Sequence, residues 1–418
     1  MSQPLALHGG TPLRQRPFTS WPVFDDTDEA RVRAALRSGR WGRLQGAEVE
    51  QFERDFATRH GCRHGIAVVN GTVSLRLALM AAGLQAEDEV IVPAYTFLST
   101  ASAVVEANMV PVFADVDLAT FNIAPSAIEA AITPRTRAVI PVHFAGQVAD
   151  MDAVLAIARR HGLFVLEDAA HAHGATWRDR PAGSLGDAAS FSFQSSKNLT
   201  SGEGGIITTN DDALGAACRS MHNCGRVPDG LWYEHHVVSG NYRLGELQGA
   251  LLNSQLTRLE EQTATRDANG RRLAARLSAM PGLRPQARPD ACTRHSRHLF
   301  MLRVEPDHFG VTRDRLVEAL QAEGIPCSGG YGFPLYEQPL FRHKAFGPYL
   351  AGARARLDYT AVECPNSERL CRHEAVWLDQ SLMLGSTRDV DDIADAFEKV
   401  YDHRAALAAD LTSEPAGA

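Results

Sequence analysis

Apolar positions along this chain recur with a period near two in short runs and with a helical period between them. The short runs at 89–93, 110–114, 138–142, 163–166, 188–193 and 205–208 read as strands. Helical patterning fits between several of them, at 99–107, 126–131 and 151–161, and earlier at 29–36, 49–60 and 73–82. Strands alternating with helices imply an α/β unit whose mostly parallel sheet is covered on both faces. Ligands in such sheets sit beyond the carboxyl ends of the strands. Tyr95, Phe97, His143, Asp168, His171 and the run Ser192 to Lys197 all fall at those predicted ends.

Past residue 240 a long helical stretch begins. Leu252, Leu256 and Leu259 mark a long helix that the pattern carries to about Met280, with a break near Asn269-Gly270 and an end at Pro281-Gly282. The remainder reads as a smaller α/β unit: a strand at 298–304, a helix at 312–323, irregular sequence over 325–370 and a closing helix at 388–407. The Ala-rich tail after 405 is expected to fray. The division predicted is an N-terminal arm over 1–25, with prolines at 4, 12, 17 and 22, a large domain over 26–265 and a small domain over 266–418.

Two stretches carry chemistry. In Ser190-Phe-Ser-Phe-Gln-Ser-Ser-Lys197 an alternating strand stops at small polar residues and presents a lysine, after which Gly202, Gly204 and Gly205 turn the chain into a second strand. Lysine occurs only at 197, 344 and 399 among 42 Lys and Arg residues. A chain that uses Arg almost everywhere has kept Lys where an amine could lose its proton and attack a carbonyl, which Arg cannot do. In Leu166-Glu-Asp168-Ala-Ala-His171 a strand runs into an acid that would face the same crevice. It could hold a proton on a ring nitrogen, or simply cap a helix. A third, weaker signal is Val69-Asn-Gly-Thr-Val73: a strand ends at Asn-Gly, and the helix start that follows offers free amides to a phosphate.

Composition narrows the classes. A net charge of −8 gives no footprint for nucleic acid or an anionic membrane, and no apolar run approaches the length of a membrane span. Seven cysteines without Cys-x-x-Cys spacing, and a start lacking a basic end followed by an apolar segment, point to free thiols in a cytoplasmic protein. A metal site on Asp168, His171 and His173 is disfavoured, because their spacing does not converge on one helical face.

Five blocks resemble the DegT/DnrJ/StrS aminotransferases: Val69 to Leu75, Val92 to Phe97, Leu166 to Gly174, Phe191 to Gly205 and Asn241 to Gln248. The likeness spans about residues 5–405, and Phe-Ser-Phe followed by the lysine is its most specific part. It implies an aspartate-aminotransferase-like fold (fold type I) binding pyridoxal 5'-phosphate, and a cytoplasmic homodimer with shared active sites. The resemblance implies that Lys197 forms the internal aldimine, Asp168 pairs with the pyridine nitrogen, Phe97 stacks on the ring and His171 lies near its other face or its hydroxyl. It further implies that Gly71, Thr72 and Val73 with Ser192 hold the phosphate, and that Asn241 reaches the phosphate of the other subunit. Tyr331, in the Gly/Pro-rich stretch 329–336, is expected over the substrate. The implied reaction moves an amino group from glutamate or glutamine to a keto sugar or keto-cyclitol, in a secondary-metabolite, antibiotic or glycan precursor pathway. A synthase forming an aminated aromatic acid and a non-catalytic cofactor-binding regulator are the alternatives. Relatives that dehydrate carry His in place of the lysine, so Lys197 argues against that branch. Arg40, Arg43 and Arg226 could touch a nucleotide diphosphate, but in an Arg-rich chain such residues are more often surface charges.

Overall fold

Side-chain caps set several helix starts, and that of the first helix lies three residues before the one expected from hydrophobic period. Asp25 accepts from Thr27 N and closes a capping box with Asp28, so α1 runs Asp26–Ser38; Asp150 and Asp211 cap the helices Met151–His161 and Asp212–His222 by accepting from Ala153 N and Leu214 N. The computed structural model describes residues 3–413. Its large sheet holds seven strands: β1 His64–Val68, β2 Glu89–Pro93, β3 Val110–Ala114, β4 Thr136–Val139, β5 Phe164–Asp168, β6 Ala188–Ser192 and β7 Gly205–Thr209. Their order is β1-β7-β6-β5-β4-β2-β3, and only β7 runs against the rest. The strand expected at 138–142 ends at Val139, yet Ile140 N still donates to Ile91 O and His143 N to Asp168 O.

Alternate residues of each strand feed opposite cores. Ile66, Val90, Val92, Leu166, Ala188 and Ile207 face the side covered by α3 (Gly71–Ala81) and α4 (Ser99–Glu106). Ala67, Ile91, Val165, Ala189, Phe191 and Ile206 face the side covered by α2 (Glu48–Arg59), α6 (Met151–His161) and α8 (Glu246–Leu277), with α5 (Pro125–Ala131) at its rim and α7 (Asp212–His222) across the sheet. Burial on both faces explains why these strands read as near-continuous apolar runs. The stretch 325–370, expected to be irregular, holds short helical turns. It sends Leu335, Tyr336, Phe341, Phe346 and Tyr359 back into the core under α3 and α4, where Phe113 meets Phe341 edge-on at 5.0 Å.

The third core gathers Leu273 and Leu277 of α8, the antiparallel sheet β8 (Leu283–Pro285), β9 (Leu299–Val304) and β10 (Ala375–Asp379), α9 (Arg313–Ala322) and α10 (Thr387–Asp402), with Leu5 of the arm. α8 thus carries side chains into two cores, and the boundary we place at 265/266 falls inside an unbroken helix. The break expected at Asn269-Gly270 is absent. Asn269 Nδ2 donates to Met383 O and Gly385 O, and a Cβ on Gly270 would lie 2.6 Å from Arg297 Nε. The pair admits close neighbours; it does not end the helix. The closing helix expected at 388–407 is two helices, α10 and α11 (Arg404–Ser413), and the last part of the tail, 414–418, lies outside the described residues.

Candidate active site

A cavity of about 1210 Å³ opens at the carboxyl ends of β2, β5 and β6, and its wall includes Asp168, His171, Ser192 and Lys197. At one end α3 begins. Asn70 caps it, its Oδ1 accepting from Val73 N at 2.9 Å, and Ser74 N turns back to Asn70 O. Val73's amide is therefore spent within the turn. The amides of Gly71 and Thr72 have no hydrogen-bond partner among the described residues, which leaves two donors at a helix start. Thr72 Oγ1 and Ser99 Oγ pair at 2.6 Å beside them, and Ser192 Oγ accepts from Gln194 N at 3.3 Å. Gly71 is obligatory for this approach, since a Cβ there would lie 2.8 Å from Cβ of Ser192.

Across the floor lies Asp168, 5% exposed at the end of β5, with Thr100 Oγ1 donating to its Oδ2 at 2.8 Å and Ala170 N to its Oδ1 at 3.2 Å. Burial raises its pKa; the Thr100 and Ala170 donors and the charge of Lys197 oppose that shift. One residue earlier Glu167, fully buried, accepts from His143 Nε2 at 2.8 Å and from the amides of Gly183, Leu185 and Gly186. Burial acts to raise Glu167's pKa, and these donors outweigh it and hold the group below the ordinary carboxylate range. Because His143 Nδ1 accepts from Ala149 N, its proton sits on Nε2. This buried clamp fixes the strand that presents Asp168.

Lys197, half-buried in the opposite wall, has its pKa lowered to about 8 by burial, with Asp168 acting against the shift. Its Nζ makes no hydrogen bond or ion pair among the described residues. His171 is stacked on His298 with centroids 4.1 Å apart, and burial holds both rings well below the usual imidazole range. Ala145 N donates to His171 Nδ1 at 3.3 Å, and His298 Nδ1 pairs with Asn198 Oδ1 at 3.1 Å. Both imidazoles stand as neutral, flat surfaces in the wall. Tyr331 joins the wall in an aromatic group with Trp377 (4.7 Å) and Tyr95 (5.4 Å), while Phe97 is 58% exposed at the rim.

The sequence-predicted residues Gly71, Thr72, Phe97, Asp168, His171, Ser192, Lys197 and Tyr331 thus line one cavity. Val73 flanks it, and Asn241 lies outside the lining, its Oδ1 accepting from Arg243 N at 3.4 Å. Arg40, Arg43 and Arg226 are also absent from the lining, and Arg43 is tied to Glu53 at 2.9 Å. Sequence reading passed over Thr100, three residues beyond Phe97, and Trp21, His298, Trp377 and Gln380, which reach the cavity from distant stretches with no local motif to announce them. Among the described residues no group of three or more His, Cys, Asp or Glu could hold a metal ion. The donor set instead fits a flat phosphorylated pyridine. Two free amides and hydroxyls stand at the phosphate end, with a buried carboxylate, an imidazole face and an amine around the ring.

Comparison with known proteins agrees. Residues 22–398 match the model of the DegT/DnrJ/EryC1/StrS aminotransferase family. A Streptoalloteichus tenebrarius protein, provisionally named as an L-glutamine:3-amino-2,3-dideoxy-scyllo-inosose aminotransferase, is 43% identical over 96% of this chain and 98% of its own. An L-glutamine:2-deoxy-scyllo-inosose aminotransferase from the same organism is 39% identical over 97% of this chain and 99% of its own. The crystal structure of 3-amino-5-hydroxybenzoic acid synthase superposes with a TM-score of 0.83 at 37% identity, covering 93% of this chain and 99% of that one.

Proposed function

The chain belongs to the DegT/DnrJ/EryC1/StrS aminotransferase family, and from that premise we propose that it carries an amino group from glutamine or glutamate to a keto-cyclitol, using pyridoxal phosphate held at Lys197. The observation that carries the reading is the buried Asp168 facing a half-buried, pKa-lowered Lys197 across one cavity. Pyridoxal phosphate supplies an aldehyde that takes up the amine and a ring that accepts the electrons freed at the neighbouring carbon.

The protein's own residues do the rest. Asp168, anchored by Thr100, keeps a proton on the ring nitrogen, and Gly71 and Thr72 amides with Ser192 hold the phosphate. His171, locked between Ala145 N and His298, covers a ring face without adding charge. Lys197 Nζ removes the proton from the donor's α-carbon and returns one to the carbon that receives the amine.

The lining favours a small polyol as acceptor. Among the described residues that line the cavity there is no Arg, and Lys197 is the sole Lys, so one chain brings no pair of cations to a nucleotide diphosphate. The relatives named for inosose substrates, and for glutamine as donor, support the same choice. The likeness to the hydroxybenzoate synthase supports a second reading, amination of a cyclic keto acid. Assembly as a cytoplasmic homodimer belongs to the proposal: Leu231, Trp232, Tyr233 and Val238 are 80%, 81%, 77% and 96% exposed in one loop leading to Asn241, and all seven cysteines are free.

Borohydride reduction of the purified enzyme, followed by digestion, should place a pyridoxyl tag on Lys197. Lys197→Ala should lose the visible absorbance and slow turnover by ~10³-fold or more. Wild-type rates in that variant would overturn the reading. Single-turnover assays of glutamine and glutamate, then of a keto-cyclitol, a nucleotide-linked keto sugar and a cyclic keto acid, decide the substrates.

A further inference from the structure

Among the described residues one fully buried arginine has no anion. Arg266 on α8 is fully buried, and no Asp or Glu among the described residues pairs with it. Its Nη1 and Nη2 make no hydrogen bond there, and burial brings its pKa down to about 9. An unneutralised buried guanidinium lowers stability, so its presence asks for a function.

Its hydrogen bond and its ring contact lead one way, while its charge also bears on His173 and His298. Nε donates to Gln380 Oε1 at 2.8 Å, and the guanidinium lies 5.1 Å from the ring of Trp21. Gln380 in turn directs Nε2 at Ser196 O (3.5 Å), and Trp21 Nε1 donates to Ser195 O at 2.9 Å. Those carbonyls belong to the two residues before Lys197, in the turn that Lys197 N closes on Gln194 O at 2.9 Å. Trp21 comes from the N-terminal arm, Gln380 from the end of β10 and Arg266 from the helix shared by two cores. Three remote segments are therefore joined through one guanidinium, on the backbone that presents the amine.

We propose that Arg266 is a positioning residue for Lys197: through Gln380 and Trp21 it fixes the Ser195–Ser196 carbonyls and so sets where the lysine amine stands. The proposal rests on the role given above to Lys197. It assigns Arg266 no contact with substrate or cofactor.

The test uses Arg266→Met, Arg266→Lys, Trp21→Phe and Gln380→Leu. Hydrogen exchange is read on the cofactor-free chain, and the pH titration of the lysine-bound absorbance on the loaded enzyme. In Arg266→Met the amides of 194–198 should exchange ~10-fold faster or more, while the strands of the large sheet keep their protection. The absorbance titration should move by a measurable fraction of a pH unit, and the glutamine half-reaction should slow by ~10- to 100-fold with little change in KM. Arg266→Lys should recover part of each, and Trp21→Phe and Gln380→Leu, which each cut one link, should each reproduce part of the effect. A folded Arg266→Met with wild-type exchange over 194–198 and a wild-type titration overturns the proposal. Should Arg266→Met not fold, wild-type behaviour of both single-link variants overturns it equally. Absence of the lysine-bound absorbance in the wild-type enzyme would instead sink the role of Lys197, so the two failures are distinguishable.

Discussion

At the scale of single residues, the site depends on charges being held where water would not leave them. Lys197 is the plainest case, because burial brings its pKa down to about 8 from the usual 10.5. The neutral amine is the reactive form, so capture of pyridoxal phosphate by the cofactor-free chain should speed up about tenfold per pH unit below that value and level off above it. A stopped-flow profile still climbing at pH 10 would show an amine that is not desolvated. Stability should follow the same sign. Between about 8 and 10.5 the unfolded lysine binds the extra proton, so the cofactor-free chain gains stability relative to Lys197→Met as pH rises through that window. Glu167 makes the opposite case, a buried carboxylate fully supplied with donors. Glu167→Ala would strand His143 and three amides and should cost ~3 kcal/mol or more in denaturant unfolding. The sequence showed Glu167 beside Asp168; its clamp on His143 and the 183–186 turn came only with the fold.

At the scale of elements, the hydrophobic period located most helices and strands but passed over α7, β8 and β10, and its errors have physical causes. Caps moved helix starts back by one to three residues, as at Asp25 for α1. The apparent break in α8 is the instructive error. Helix propensity alone makes Gly270→Ala stabilising by about 1 kcal/mol. The packing reverses the sign: the new Cβ would lie 2.6 Å from Nε of Arg297, itself 2% exposed and stacked toward Phe300 at 5.7 Å. We expect a loss of ~1–3 kcal/mol in the midpoint-derived stability of Gly270→Ala. A gain would mean that Arg297 moves aside freely. Gly270 reads as a helix breaker in one dimension and as a seat for a guanidinium in three.

At the scale of the whole molecule, the loop carrying Leu231, Trp232, Tyr233 and Val238 leaves four large apolar side chains more than three-quarters exposed. If two copies bury it, Trp232→Glu together with Tyr233→Glu should convert a dimer to monomers in sedimentation and lower activity by ~10-fold or more. A double variant that stays dimeric and active would remove this loop from the interface.

The sequence alone determined the α/β class and the alternation that makes a sheet buried on both sides, and it singled out Lys197 and Asp168; Thr72 and Ser192 joined them through the family resemblance, and all four line one cavity. The class, the alternation and the first pair follow from local periodicity and from short motifs, which need only neighbours in the chain. The tertiary structure decided what required distant neighbours: the Glu167–His143 clamp, the stacking of His171 on His298, the shared α8, and the meeting of Trp21, Arg266 and Gln380 behind the lysine turn. Those pairings are separated by tens to hundreds of residues, and no chain-local pattern encodes which of many buried polar groups will come to face one another.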